Sequence, residues 1–334
     1  MPNRNVLAGI DIGGTKCAVS LGVLEDDGRI ELIAKFQFPT ERGPEHVMKT
    51  LLSELERLLL ASGVADDALA AIGISCGGPL DSEAGIILSP PNLPGWDRID
   101  ACAPFRERFS CPVSLQNDAN ACALAEWRWG AGKGCSNMIF LTFGTGMGSG
   151  LILNGRLYSG TNDMAGEVGH MRMEDDGPTG YGKVGSFEGF CSGGGIAQLA
   201  VKMAEERIRL GDTQAFCHSV SDLAAITAQK VGEAARLGDP LALEIFAIVG
   251  KQLGRGLALL VDLLNPERIV IGSIYGRQLA LLEPIVMDEL RRQALPRSLS
   301  VCRIVPAGLQ EHVGDYAGLS VAWNALSDPN FQRN

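Results

Sequence analysis

Four short segments of this 334-residue chain hold residue types that can do chemistry. The first is Asp11-Ile12-Gly13-Gly14-Thr15-Lys16. Glycines let backbone N–H groups approach phosphate oxygens closely, and Thr15 adds a hydroxyl donor. An aspartate at a strand end can reach a Mg2+ ion, usually through water. A plain hairpin with an exposed aspartate has the same letters, and the G-x-x-x-x-G-K-[ST] phosphate loop is absent. The second segment is Gly144-Thr145-Gly146-Met147-Gly148-Ser149-Gly150, alternate glycines beside two hydroxyls. It is a second candidate nest for anions, or simply a bend between strands.

The third segment is Asn117-Asp118, at the front of a helical pattern. Asp118 suits a helix N-terminus, as a cap or as a carboxylate facing the helix dipole, and it could also take the proton of an attacking hydroxyl in phosphoryl transfer. The fourth is Glu167-Val168-Gly169-His170, followed by Glu188. Fixed polar groups of this kind suit a sugar ring, whose hydroxyls both donate and accept. Scattered loop polarity would look similar for each residue taken singly.

The elements around these segments alternate strand and helix. Residues 6–12 form an apolar run entering the first Gly-Gly-Thr turn, and residues 17–24 leave it with β-formers. Residues 44–60 place Val47, Leu51, Leu52, Leu55, Leu58 and Leu59 at helical spacing. Residues 71–75 read as a strand entering Gly77-Gly78-Pro79, and 113–115 as a strand before a helix over 118–129. Residues 138–143 run into the second Gly-rich turn and resume at 151–153. Strand, Gly/Thr turn and strand thus occur twice, a weak internal repeat that would offer two phosphate-facing turns. The last third reads as mostly helical, with strands at 268–271 and 301–306 and a closing helix over 316–326.

Composition narrows the class. The net charge is −10, with 39 acidic against 29 basic residues, which argues against a nucleic-acid partner. Nine scattered cysteines without a C-x-x-C pair read as reduced thiols of a cytoplasmic protein. No leader or membrane span is expected, and the ten residues before Asp11 leave no room for a helix-turn-helix. His46, His218 and His312 read as isolated surface residues. Trp127 and Trp129 do not share a helix face. The run Glu174-Asp175-Asp176 reads as a solvated turn.

Taken in order, GIDIGGTK (residues 9–16), QNDANA (116–121), TFGTGMGSGLILNGRLYSG (142–160) and AGEVGHM (165–171) resemble the ROK family of bacterial sugar kinases and regulators, in the actin-like ATPase superfamily. Weaker support comes from NLPGW (92–96) and NPERIVIGS (265–273). The resemblance implies two actin-like, ribonuclease H-like α/β lobes with a cleft between them: 1–117 plus 312–334, and 118–311. It implies ATP and Mg2+ as cofactors, and a homodimer. It makes Asp118 the catalytic base. It assigns Gly78, Asn92, Asn117, Glu167, His170 and Glu188 to the sugar. Gly13, Gly14, Thr15, Lys16, Gly144, Thr145, Gly146 and Gly272 go to ATP, and Asp11 lies near Mg2+.

One departure is sharp. Family members typically carry a C-x-C-G-x-x-G-C-x-E zinc loop. Here its cysteine positions hold Thr179, Tyr181 and Ser186, while Gly182, Gly185 and Glu188 remain. Hydroxyls do not replace thiolates at structural zinc, so no structural zinc is expected. The expected activity is phosphorylation of a hexose, at the 6-OH of glucose or of N-acetylmannosamine or N-acetylglucosamine. The rival reading is a sugar-sensing or catalytically weakened regulator-type protein without a DNA-binding domain.

Overall fold

A computed structural model of the chain describes residues 5–41 and 43–327. Residues 1–4, over which no leader is expected, lie outside the described residues. The principal elements, in chain order, begin with β1 (Val6–Ile12), β2 (Lys16–Leu24), β3 (Ile30–Pro39), α1 (Gly43–Ala61), β4 (Leu69–Cys76), β5 (Val113–Asn117) and α2 (Asp118–Trp129). They continue with β6 (Met138–Leu141), β7 (Ser149–Leu153), β8 (Arg156–Tyr158), β9 (Thr179–Gly180), β10 (Lys183–Val184) and α3 (Gly193–Arg209). The chain closes with α4 (Pro240–Leu264), β11 (Arg268–Ile271), α5 (Leu279–Gln293), β12 (Arg303–Pro306) and α6 (Val313–Ser327).

Two compact α/β units result, in keeping with the expected fold class. Unit 1 is residues 1–134, 150–165 and 311–334; unit 2 is residues 135–149 and 166–310. Helix α2, at the expected start of the second lobe, lies in unit 1, where the Ser320 hydroxyl of α6 donates to its Ala121 carbonyl.

The unit 1 sheet has the order β3-β2-β1-β4-β5. β1, β4 and β5 run parallel, while β1-β2-β3 is an antiparallel meander. The alternation of β1 explains its two covered faces. Val6, Ala8, Ile10 and Ile12 enter a core shared with Val47, Leu51, Leu55 and Leu58 of α1. Leu7 points the other way, onto Leu319 and Ala322 of α6. α6 approaches that face closely because glycines lie beneath it. A Cβ on Gly9 would sit 2.6 Å from the Leu319 nitrogen, and one on Gly73 would overlap the backbone at Gly318 and Ala322. Backbone cannot rotate away as a side chain can. Gly73→Ala is therefore expected to destabilise by about 3 kcal/mol, the upper range of ordinary overpacking, read as a lower thermal midpoint.

Unit 2 holds β11 between β6 and β12, all parallel. Its longest helix, α4, starts where the Asp239 carboxylate accepts from Ala242 N–H at 2.9 Å, with Pro240 in the first turn. It ends at Asn265, whose left-handed φ of +44° stops the helix before Pro266. Buried Ile245, Phe246, Val249, Leu253 and Leu257 mark its inner face.

The short strands β8, β9 and β10 and two longer elements were not expected from the sequence. β3 is a half-exposed edge strand carrying Glu31 and Lys35, so its apolar signal is diluted. α3 opens on three glycines, which obscure its start.

Candidate active site

Parallel pairing in unit 1 brings three strand ends into line. Asp11 of β1 is in register with Ser75 of β4, and Ser75 with Gln116 of β5. One step further, Ile12, Cys76 and Asn117 are in register. The sheet thus delivers Asp11 and the Asn117-Asp118 pair to the same edge. Ligand sites of open α/β sheets form at such carboxyl ends.

Asn117 caps α2, its side chain accepting from Ala119 N–H at 2.9 Å. The same N–H lies 2.8 Å from Asp118 Oδ1, leaving Asp118 Oδ2 without a bond to this amide. Solvent reaches Asp118, yet the surrounding protein pushes its carboxyl above the usual range; the Ala119 amide opposes that shift. Asp11 is raised to about 6, first by burial and next by the charge of Asp118. The Ser75 hydroxyl, Lys16 and Lys35 oppose the rise. Two carboxylates that repel each other, with a hydroxyl alongside, form a hard-oxygen environment that a divalent cation would relieve. These residues fit Mg2+.

Gly13 N–H donates to Lys16 O at 3.1 Å, closing the first turn. Thr40 holds it from the side, its hydroxyl on Gly13 O and its N–H on Thr15 O. Gly14 and Thr15 are left exposed. A Cβ on Gly14 would lie 2.5 Å from the Asn92 carbonyl, so glycine is needed for Asn92 to sit there. The Gly77-Gly78 turn is nearby: a Cβ on Gly78 would be 3.2 Å from Asn117 Nδ2, and one on Gly77 would be 4.0 Å from Asp118 Oδ2. Asn92, Gly78, Asn117 and Asp118 are thus neighbours, and Gly77 joins them as a residue the motif did not single out.

Unit 2 assembles the remaining candidates. Gly148 N–H donates to Thr142 Oγ1 at 2.7 Å, and Gly144 N–H to Gly146 O at 3.1 Å, closing the second turn. Gly193 N–H at the start of α3 donates to Gly144 O at 2.7 Å. Ser192 caps that helix by accepting from Gly195 N–H at 3.0 Å. The helix start adds anion-favouring amides beside the turn. Ser192 followed by three glycines and an apolar helix was the available signal for it. Gly272 is brought to the same place: its N–H donates to Leu141 O, and a Cβ on Gly144 would lie 3.7 Å from Ser273 Oγ.

Glu188 is half-buried, and its Oε2 accepts from Met147 N–H at 2.9 Å. One oxygen of this candidate sugar contact thus also fixes the Gly-rich turn. Gly169 explains the spacing of its motif. A Cβ there would overlap Met147 O and come within 3.3 Å of Glu188 Cβ, so only glycine lets the segment lie against both. Glu167 and His170 flank it, both exposed. The Tyr181 ring meets the His170 ring edge-on, with centroids 6.4 Å apart.

Glu174 is not a plain solvated residue. Gln252 Nε2 and Arg255 Nη1 donate to its Oε1 at 3.0 and 2.5 Å, and Arg255 also bridges to buried Glu289. These donors hold the Glu174 carboxyl below its usual range. Trp127 and Trp129 pack separately, against Trp323 and Tyr316. All nine cysteines are free thiols. Among the described residues, no three His, Cys, Asp or Glu side chains are grouped to hold a metal ion, and no helix is long and apolar enough to cross a membrane.

The ROK family pattern matches residues 7–322. A glucokinase of Halalkalibacterium halodurans is 32% identical over 300 residues, 86% of each chain. The structure of a ROK family glucokinase from Streptomyces griseus, in complex with glucose and AMPPNP, is similar with a TM-score of 0.73 and 28% identity, covering 95% of this chain and 99% of that one. A ROK family transcriptional regulator, a homologue of the Escherichia coli MLC protein, gives a TM-score of 0.80 and 25% identity, covering 95% and 77%. With its motifs, its α/β units and a family match over nearly its whole length, the chain belongs to the ROK family.

Proposed function

We propose that the chain is an ATP-dependent hexose kinase acting on the 6-hydroxyl of glucose or of an N-acetylated amino sugar such as N-acetylmannosamine or N-acetylglucosamine. The observation that carries this reading is the shared strand edge of unit 1. It presents a carboxylate of raised pKa, Asp118, next to a second carboxylate and a glycine turn with a free face. A base and a phosphate turn at one edge are what phosphoryl transfer to an alcohol requires.

In this mechanism Asn92, Asn117, the Gly78 backbone, Glu167, His170 and Glu188 are the candidate contacts for the sugar. Gly13, Gly14, Thr15 and Lys16 receive ATP phosphates, as do Gly144, Thr145, Gly146 and Gly272. The sugar O–H gives its proton to Asp118. Its oxygen bonds to the γ-phosphorus, the bond from that phosphorus to the β–γ bridging oxygen breaks, and ADP leaves. Asp11 would hold Mg2+ through water, and the ion when bound supplies charge neutralisation at the phosphates. The free thiols fit a reducing cytoplasm. A homodimer is the assembly implied by the resemblance.

Likeness to a regulator supports a second reading, a sugar-sensing protein with weak or no turnover. One assay separates the two: ADP formation by the purified chain across glucose, mannose, fructose, N-acetylglucosamine and N-acetylmannosamine. The kinase reading expects sugar-dependent ADP with one or two hexoses. Hexose binding without ADP would favour the sensor, and ADP release with no sugar would overturn both.

A further inference from the structure

The segment from Arg172 to Glu188 must place Glu188 accurately, yet it has little regular structure and no thiol ligands. Its only strands are the two-residue β9 and β10. Left-handed φ angles at Tyr181, Gly182 and Gly185 make its turns. Something else must hold it, and α3 provides a specific tie. Both polar atoms of the Gln198 carboxamide engage one residue: Thr179 N–H donates to Gln198 Oε1, and Gln198 Nε2 donates to Thr179 O, each at 3.0 Å. A side chain paired with both the donor and the acceptor of one strand residue fixes its orientation as well as its place.

The tie continues to the site by direct contact. A Cβ on the next residue, Gly180, would lie 2.7 Å from Glu188 Cβ and 2.5 Å from Gly189 N, so the two segments touch backbone to side chain. Ser186 Oγ donates to Gly180 O at 3.4 Å and accepts from Gly189 N–H at 3.0 Å, locking the turn just before Glu188. Glu188 then accepts from Met147 N–H in the Gly-rich turn. α3 itself begins against that turn at Gly193. One helix therefore seats the turn with its first residue and the Glu188 loop with a residue one and a half turns later.

We propose that Gln198 is a positioning residue of the site. Its carboxamide clamps the Thr179 backbone, and through Gly180 and Ser186 keeps the Glu188 carboxylate on Met147 N–H. Its kinetic consequence rests on the kinase reading; its structural consequence does not. Gln198 is exposed, so replacing it leaves no cavity.

The test uses the full chain with Gln198→Met, which keeps length and removes both bonds, and Gln198→Glu, which keeps only the acceptor. Amide hydrogen exchange is followed at Thr179, Gly189 and Met147, alongside the thermal midpoint and the hexose KM and kcat. In Gln198→Met, exchange is expected to rise about five- to tenfold at all three amides, the scale of one or two net hydrogen bonds. The hexose KM should rise by a similar factor with kcat little changed, and Gln198→Glu should fall between. Faster exchange at Thr179 alone, with KM unmoved, overturns the proposal. So does a drop in thermal midpoint with exchange raised evenly across unit 2, because that is a merely structural role. If the parent phosphorylates no hexose, the kinase reading fails while the exchange pattern still decides the clamp.

Discussion

Asp118→Asn should lower kcat for hexose phosphorylation by about 10²-fold or more, the usual worth of a general base. The substitution is conservative everywhere except at the proton. An asparagine oxygen can still accept from Ala119 N–H, as Asp118 Oδ1 does at 2.8 Å, so the start of α2 stays capped. Asn117 caps the same amide independently. A carboxylate raised by its protein surroundings loses an unfavourable charge on becoming an amide, so stability should hold or rise. The hexose KM should change far less than kcat, because what is lost is proton acceptance in the transition state. The raised pKa also gives the parent's pH profile a direction. Asp118 must be ionised to act, so kcat should fall on acidification at a pH above that of an ordinary aspartate. Steady-state kinetics with a preferred hexose checks both statements. Near-normal turnover in Asp118→Asn would remove the base from this residue.

The sequence carried the local features of this arrangement well. The strand that carries Asp11 near its end, the helix start at Asn117-Asp118 and the glycine turns depend on near neighbours, and periodicity with turn chemistry reads those directly, although the cap proved to be Asn117 and not Asp118. The amphipathic helix expected at 44–60 appears as Gly43–Ala61, with Leu51, Leu55, Leu58 and Leu59 buried and Leu52 half-buried against the same core. Features set by distant partners were not legible. Gly73 looks like any strand glycine until α6, some 245 residues later, is laid on it. Glu174 looks solvated beside two aspartates, and only packing against α4 brings it Gln252 and Arg255. Glu188 was assigned by motif to the sugar, but its bond to Met147 N–H depends on how two glycine-rich segments meet. Thr179, Tyr181 and Ser186 were visible only as absent cysteines. Their contacts with Gln198, His170 and Gly180 require the folded loop.

Asp11→Asn should separate stability from activity in the opposite direction to most site substitutions. At neutral pH the parent holds an ionised Asp11 whose folded pKa is about 6, against an ordinary value of 3.8. The folded state therefore binds this proton more tightly than the unfolded chain, and stability falls as pH rises between those two values. Below about 4 the carboxyl is protonated in both states, and the penalty vanishes. Asparagine carries no charge at any pH and can still accept the Ser75 hydroxyl. The variant should be more stable than the parent above pH 6, by up to about 3 kcal/mol from the size of the shift. That margin should shrink steadily as pH falls through the window. Turnover should nonetheless collapse, because the carboxylate proposed to hold Mg2+ is gone. Thermal denaturation of both proteins from pH 4 to 8, beside ADP formation at pH 7.5, reads the two effects separately. A variant that is less stable than the parent at pH 7.5 would show that Asp11 is held by favourable partners rather than against its own charge. Nor could the strand-edge carboxylates then be regarded as a site kept under electrostatic tension for a cation to relieve.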